Sequence, residues 1–253
     1  MSSLHSIFDL RPGHFLTFTS HDDELDLVLS AVIRVRSSGR VLGLVACKQI
    51  ENLDGFRLQK NFAGRVKEVG SLKKFDEYFD YSGHLDSLFA LVHFAPNMIG
   101  EIEKNFKVAA ISKDFRVNAF NSNGMKVRRI VGSYVTNSKK KFVNKRENRV
   151  THRGLVCGDV TNARIKTKCS KTQVEYAGLI RNKTSVSFAR FGDGGKPVVS
   201  SSNALLGFVV ASNEEKTLML TAEDISDDLD VDFLVPDKKK LPQTNELQIR
   251  AKK

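Results

Sequence analysis

The sequence predicts an all-β chain organised in two lobes. Short runs alternate apolar with polar residues, turn residues break those runs at the roughly 8–12-residue spacing of sandwiches and barrels, and helix signals are few. With 41% hydrophobic and 27% charged residues among 253, the chain has the composition of a folded, core-forming protein rather than a disordered one.

Phe15–Thr19 reads as the first strand, and Ala31–Arg36 as the next. Val41–Cys47 is an apolar run after the turn Ser37–Ser38–Gly39, and Leu88–Phe94, Phe106–Ile111, Phe115–Phe120 and Lys126–Val135 follow, with Asn123–Gly124 as a hairpin turn. Beyond a basic stretch come Val150–Cys157, Val160–Lys168, Gln173–Ile180, Val186–Phe191, Pro197–Ser200, Leu205–Ala211 and Thr217–Thr221. Two segments carry helix signals. Ser71 is placed to cap a helix with Leu72, Phe75 and Phe79 on one face, and Thr221–Leu229 has acidic residues in its first turn. No repeat of fixed period appears.

Charge is unevenly distributed. The whole chain nets +11, and residues 126–153 alone hold ten bases against one acid. Residues 214–237 hold nine acids against one lysine, and basic residues return at Lys238–Lys240 and Lys252–Lys253. Ser133–Asn148 has the Lys- and Asn-rich composition of a linker. The expected organisation is a first lobe over 1–125, a basic linker over 126–149, a second lobe over 150–236 ending in a short acidic element, and a flexible basic tail over 237–253.

The basic stretch points to a polyanionic partner, single-stranded RNA above all. Lys and Arg neutralise phosphates and release counterions, and interleaved aromatic residues stack on bases. The candidate phosphate ligands are Arg128, Arg129, Lys139, Lys140, Lys141, Lys145, Arg146 and Arg149, with Phe142 as the stacking residue. The plain alternative is a solvated charged face. No amphipathic helix or lipidation motif accompanies these bases, which disfavours membrane attachment. The longest apolar stretch, Leu25–Val35, includes Asp26 and Arg34 and is too short to span a bilayer.

No cofactor or metal is expected. His14 and His21 near Asp22, Asp23 and Glu24 lack a regular ligand spacing, and Cys47, Cys157 and Cys169 do not have the spacing of a zinc site. His84 and His93 read as surface and strand residues. His152 and Cys157 are an odd number of residues apart on one strand and so face opposite ways. Three cysteines cannot all pair, and no signal-peptide pattern follows Met1, so an intracellular, reducing compartment is expected.

The most informative segment is Val150 to Ile225. It opens V-T-H-R-G-L-V-C-G-D-V and continues to F-G-D-G-G-K-P-V-V-S-S-S-N-A-L-L-G-F-V-V-A at Phe191–Ala211. It resembles the second barrel of trypsin-like serine proteases, especially compact bacterial and viral ones. Gly192, Asp193, Gly195, Pro197 and Val198 match the family's G-D-S-G-x-P-V loop, Ser200–Asn203 supplies the hairpin, and Leu205–Ala211 the next strand. Lys196 precedes Pro197 and a strand, which excludes a P-loop. In the first half, L-D-S-L-F-A-L-V resembles the strand whose leading aspartate joins the catalytic triad, so Asp86 would carry that role.

The resemblance implies two six-stranded antiparallel β-barrels of the trypsin-like type with few short helices; the alternative is a single β sandwich. It also implies a degenerate site. Gly194 stands at the nucleophile position, and Cys47, Lys48 and Gln49 stand where the catalytic histidine belongs. The amides of Gly194 and Gly195 retain an oxyanion-type nest, but acyl transfer also needs a nucleophile and a base. The leading expectation is therefore a non-enzymatic, RNA-binding viral protein on a protease fold, acting in RNA transport (movement), encapsidation or suppression of host defence. Its place would be the host cytoplasm, or cell junctions for a movement protein. A second expectation is a protein-interaction module that takes an extended peptide along Gly192–Gly195 and Leu205–Ala211. A third is a hydrolase that uses Ser200 or Ser201. Ala110–Arg116, A-I-S-K-D-F-R, also faintly resembles the L-x-D-x-R pattern of plant-virus transport proteins, whose later landmarks are missing here.

Overall fold

The computed structural model describes residues 10–21, 23–47, 53–62, 65–79, 85–86, 88–111, 126–129, 152–166, 171–182, 188–190, 192–200, 204–213 and 216–237. The first lobe holds β1 (Phe15–Thr19), β2 (Glu24–Val35), β3 (Val41–Ala46), β4 (Arg57–Phe62), β5 (Arg65–Lys73) and β6 (Phe89–Phe94). β1 pairs with both β2 and β4, so the order β1-β4-β5-β6-β3-β2 closes on itself as a six-stranded ring. Its interior is filled by Leu16, Phe18, Leu29, Val32, Val45, Leu72, Val92 and Phe94. Helix α1 (Pro96–Asn105) starts with proline at its first turn and buries Met98 and Ile102, four apart on one face, in that same core. β7 (Phe106–Val108) follows directly.

The second lobe is a closed barrel of β8 (Lys126–Arg129), β9 (His152–Lys166), β10 (Lys171–Asn182), β11 (Pro197–Ser200), β12 (Leu205–Ser212) and β13 (Lys216–Thr221), in the order β10-β13-β12-β11-β8-β9. Ile180, Phe188, Val198, Leu206, Val209 and Met219 form its core. Helix α2 (Ala222–Asp228) starts at Thr221, whose hydroxyl accepts the Asp224 amide at 3.1 Å. β14 (Val231–Pro236) then returns to the first lobe and lies between β2 and β7, widening that sheet to eight strands.

A third cluster joins the lobes. Ile33, Leu42 and Leu44 meet Val199, Phe208 and Leu220, with Ile225 and Phe233 packed alongside. The Phe208 ring lies 6.3 Å from that of Phe89 and 5.5 Å from that of Phe233. At the rim, Arg36 donates to Asp232 at 2.9 Å, Asp230 at 3.2 Å and the Ser226 hydroxyl at 2.7 Å. The hydrogen bond that Arg36 donates to Asp232 leads in raising the Arg36 pKa above its ordinary value.

The expected all-β pair of barrels with few short helices is what the chain forms. Several boundaries differ from expectation. No helix begins at Ser71: β5 runs on to Lys73 because Gly70–Lys73 pair with β6, and only a 3₁₀ turn over Phe75–Glu77 follows. The two runs around residues 150–168 are one strand, β9, because Gly158 and Asp159 continue the ladder opposite Leu179 and Gly178. The proposed linker loses its first four residues. Lys126–Arg129 is β8, and it occupies the place between β9 and β11 that closes the barrel. The acidic C-terminal element likewise ends in β14, which belongs to the first lobe's sheet. Phe115–Phe120, Ser133–Asn148 and the tail beyond Asp237 lie outside the described residues.

Candidate functional site at the barrel seam

The glycine-rich loop at Arg190–Lys196 is built around Asp193. One Asp193 oxygen accepts the Arg190 amide at 2.7 Å, and the other accepts the Lys196 ammonium at 2.8 Å. Asp193 and Lys196 are 9% and 5% exposed, so this is a buried ion pair, and Lys196 Nζ also lies 5.3 Å from the centre of the Phe15 ring in β1. The loop of one barrel is thus anchored against a strand of the other. Gly192 and Gly195 have φ of 88° and 80°, the left-handed region that glycine enters without penalty. The Gly195 amide donates to the Val209 carbonyl at 2.7 Å, and the Val209 amide to the Lys196 carbonyl at 3.0 Å. Pro197 is buried and begins β11.

This anchoring brings the loop against the end of β3. A cleft at the seam is lined by Ala46, Leu88, Phe89, Gly194, Gly195, Val209 and Val210. Among the described residues, none of these seven supplies an acid, a base or a nucleophile. The Cys47 amide donates to the Leu88 carbonyl at 3.1 Å, tying the end of β3 to the segment before β6, and Cys47 itself is buried. The structure therefore places Gly192, Asp193, Gly194, Gly195 and Pro197 together at the seam. Asp86 sits exposed on the turn before Leu88 and does not line the cleft. Lys48 and Gln49 lie outside the described residues, as do Ser201 and His84. Ser200 ends β11.

Sequence reading missed two members of this site. Ser30 is fully buried in β2, and its hydroxyl has no hydrogen-bond partner among the described residues. Its only signal was a lone hydroxyl in the apolar run Leu27–Ile33. Lys196 is the second; its spacing from Asp193 carried the signal.

For the peptide-binding expectation, the backbone of β12 leaves little edge. It is paired with β13 from Gly207 onward, and on its other flank with β11 and the loop as far as Val209. Only Val210–Ser212 extend past those partners on that flank.

The basic candidates divide. Arg128 and Arg129 lie in β8, opposite Val199 and Val198 of β11 on one side and Arg153 and His152 of β9 on the other. Lys139, Lys140, Lys141, Phe142, Lys145, Arg146 and Arg149 lie outside the described residues. β8 and β9, on either side of residues 130–151, are adjacent antiparallel strands of the same barrel rather than members of the two different lobes. Among the described residues no group of three His, Cys, Asp or Glu is arranged to hold a metal, and no helix is long and apolar enough to cross a membrane.

No protein-family model matches the sequence, and no curated protein does. Among solved structures, the chain is similar to protease A of Thermobifida fusca, at 11% identity and a TM-score of 0.46 over 90% of this chain and 99% of that one. It is similar to a Nocardiopsis protease at 13% identity and a TM-score of 0.45, over 89% and 98% of the two chains. It is also similar to the chymotrypsin of Cellulomonas bogoriensis at 16% identity and a TM-score of 0.44, again over 89% and 98%.

Proposed function

We propose that this chain is a non-enzymatic binder of single-stranded RNA, built on a two-barrel scaffold of the protease type. One observation carries the reading: both ends of the basic stretch are neighbouring antiparallel strands, with Arg128 directly opposite Arg153. Like charges at opposed strand positions are destabilising unless a counter-charge sits nearby. Ten bases against one acid over residues 126–153 concentrate that unbalanced charge in one connection on one barrel. A polyanionic backbone supplies the missing negative charge, and Lys and Arg neutralise its phosphates with release of counterions. Among the described residues, the seven that line the seam cleft include no acid, base or nucleophile, which favours a binding role in this reading. In a virus, such a protein serves RNA transport, encapsidation or suppression of host defence.

The test is a fluorescence-anisotropy titration of labelled single-stranded RNA at several salt concentrations. It compares the full chain with a variant carrying Gln at 139, 140, 141, 145 and 146. For single strands, log K falls with log salt by about 0.7 per phosphate contacted. A steep slope that flattens by about 3 to 4 in the variant supports the reading. Weak binding, or a slope indifferent to the five substitutions, returns the stretch to a solvated face and moves the search to protein partners.

A further inference from the structure

The first barrel carries a second basic element, remote in sequence from the first. β4 touches β1 only at Leu58 and Arg57, and β5 touches β6 only from Gly70 to Lys73. Between those contacts and the turn, the two strands pair among the described residues only with each other: Gln59 with Glu68, Lys60 with Lys67, Asn61 with Val66 and Phe62 with Arg65. A register shift between Leu58 and Gln59 marks the point where this ribbon leaves the barrel wall. Val66, Lys67 and Glu68 are all exposed, Val66 at 62%. Successive strand residues face opposite sides, so the exposed Val66 and Glu68 lie on one face of the ribbon and the exposed Lys67 on the other.

An isolated two-stranded ribbon is at best marginally stable in water. Here its register also sets Lys60 directly opposite Lys67, a like-charged pair. Residues 57–74 hold six bases against one acid, and that acid, Glu68, faces Arg57 at 3.6 Å near the root of the ribbon. The excess bases of 57–74 and 126–153 together exceed the whole-chain +11, so the rest of the chain is net acidic. Residues 57–74 thus carry a net +5 within the first barrel, separate in sequence from the net +9 of residues 126–153 in the second.

We infer that the β4–β5 ribbon is a second contact for the RNA phosphate backbone, with Lys60, Arg65 and Lys67 as its phosphate ligands; this rests on the RNA-binding reading above. A projecting ribbon with exposed residues on both faces and no acid at its outer end offers charge complementary to a phosphate chain. The exposed Val66 gives it an apolar surface against a base or a ribose.

The experiment uses the full chain and the same RNA titration, with Lys60→Gln, Arg65→Gln and Lys67→Gln combined. A companion variant, Lys60→Arg with Lys67→Arg, keeps the charge. Sedimentation with phosphatidylserine vesicles runs in parallel. Loss of three phosphate contacts lowers the salt slope by about 2, so the affinity ratio between 50 and 200 mM salt shrinks by about 18-fold. That result, with the arginine variant keeping the wild-type slope, supports the ribbon as an RNA contact. An unchanged slope in the glutamine variant, while substitution of the 139–146 bases still flattens it, overturns the ribbon and leaves the RNA reading standing. Weak, salt-insensitive binding by the unaltered chain overturns both. An unchanged RNA slope with loss of vesicle binding assigns the ribbon to an anionic membrane surface and overturns the inference. A slope lowered equally by the arginine variant also overturns it, since charge would then not be the cause.

Discussion

Gly195 and Ala46 approach so closely at the seam that a Cβ on residue 195 would lie 2.3 Å from the Ala46 Cβ and 2.6 Å from the Ser30 hydroxyl. With φ of 80°, Gly195 is also in a conformation that disfavours any side chain. A left-handed residue other than glycine costs about 1–2 kcal/mol, and overpacking adds about 1–3. Gly195→Ala is expected to destabilise the chain by about 2–5 kcal/mol in urea unfolding. Gly192 has φ of 88° but open space around its missing Cβ, so Gly192→Ala bears the backbone term alone. Equal losses at the two positions would refute the tight seam.

Ser30 gives the converse expectation. Its hydroxyl is buried beside the same contact and has no hydrogen-bond partner among the described residues. Removing it relieves a desolvated polar group without breaking a bond. Ser30→Ala should be neutral or stabilising by up to about 1 kcal/mol. A loss above that would reveal a partner for the hydroxyl, such as a buried water.

The Asp193–Lys196 pair shapes the loop that reaches Gly195. Removing one partner leaves an uncompensated buried charge, a loss of about 3–5 kcal/mol. Asp193→Asn and Lys196→Met should each destabilise strongly, while the double variant loses less than the sum. A double-mutant cycle measures the coupling, expected at about 1–3 kcal/mol. Additive losses would show that the two charges act independently, despite their 2.8 Å separation.

Thr221 begins α2 by accepting the Asp224 amide, and its own hydroxyl donates to the Asp224 carboxylate. The helix packs Ile225 into the cluster between the lobes and leads into β14. Thr221→Ala should cost about 1 kcal/mol, and Thr221→Ser only part of that. Thermal unfolding of the two variants checks the order.

What the sequence made legible follows from which surfaces are one-sided. β1 alternates, with Leu16 and Phe18 buried on either side of the exposed Thr17, and it was read with the bounds it has, as was β11 at Pro197–Ser200. The Thr221 helix showed itself through its cap and its acidic first turn. The outer β4–β5 ribbon gave no alternation, because exposed residues lie on both its faces. β14 was hidden among Asp230, Asp232 and Asp237, and α1 offered few apolar positions beyond Met98, Ile99 and Ile102. At the site, the glycines and Asp193 marked the loop, since turn chemistry is local. The contacts of Gly195 with Ser30 and Ala46 are long-range, and nothing in the neighbouring sequence announces them.

The final prediction concerns chemistry. Acyl transfer requires a nucleophile, a base within hydrogen-bond reach and an oxyanion site. At the seam, the position that resembles the nucleophile's is Gly194, and among the described residues those around it are Ala46, Leu88, Phe89, Gly195, Val209 and Val210. Backbone amides alone leave only residual rate enhancement. Prolonged incubation of the purified chain with casein is expected to yield no cleavage above a buffer control. Labelling by a serine-directed fluorophosphonate probe is expected to be absent. Ser200 and Ser201 are the first two of the three serines that follow the loop, so Ser200→Ala and Ser201→Ala are the informative controls. Cleavage that persists through purification and vanishes in either variant would make the protein a hydrolase and remove the non-enzymatic part of the proposal, while leaving the salt-slope test of RNA binding to stand or fall separately.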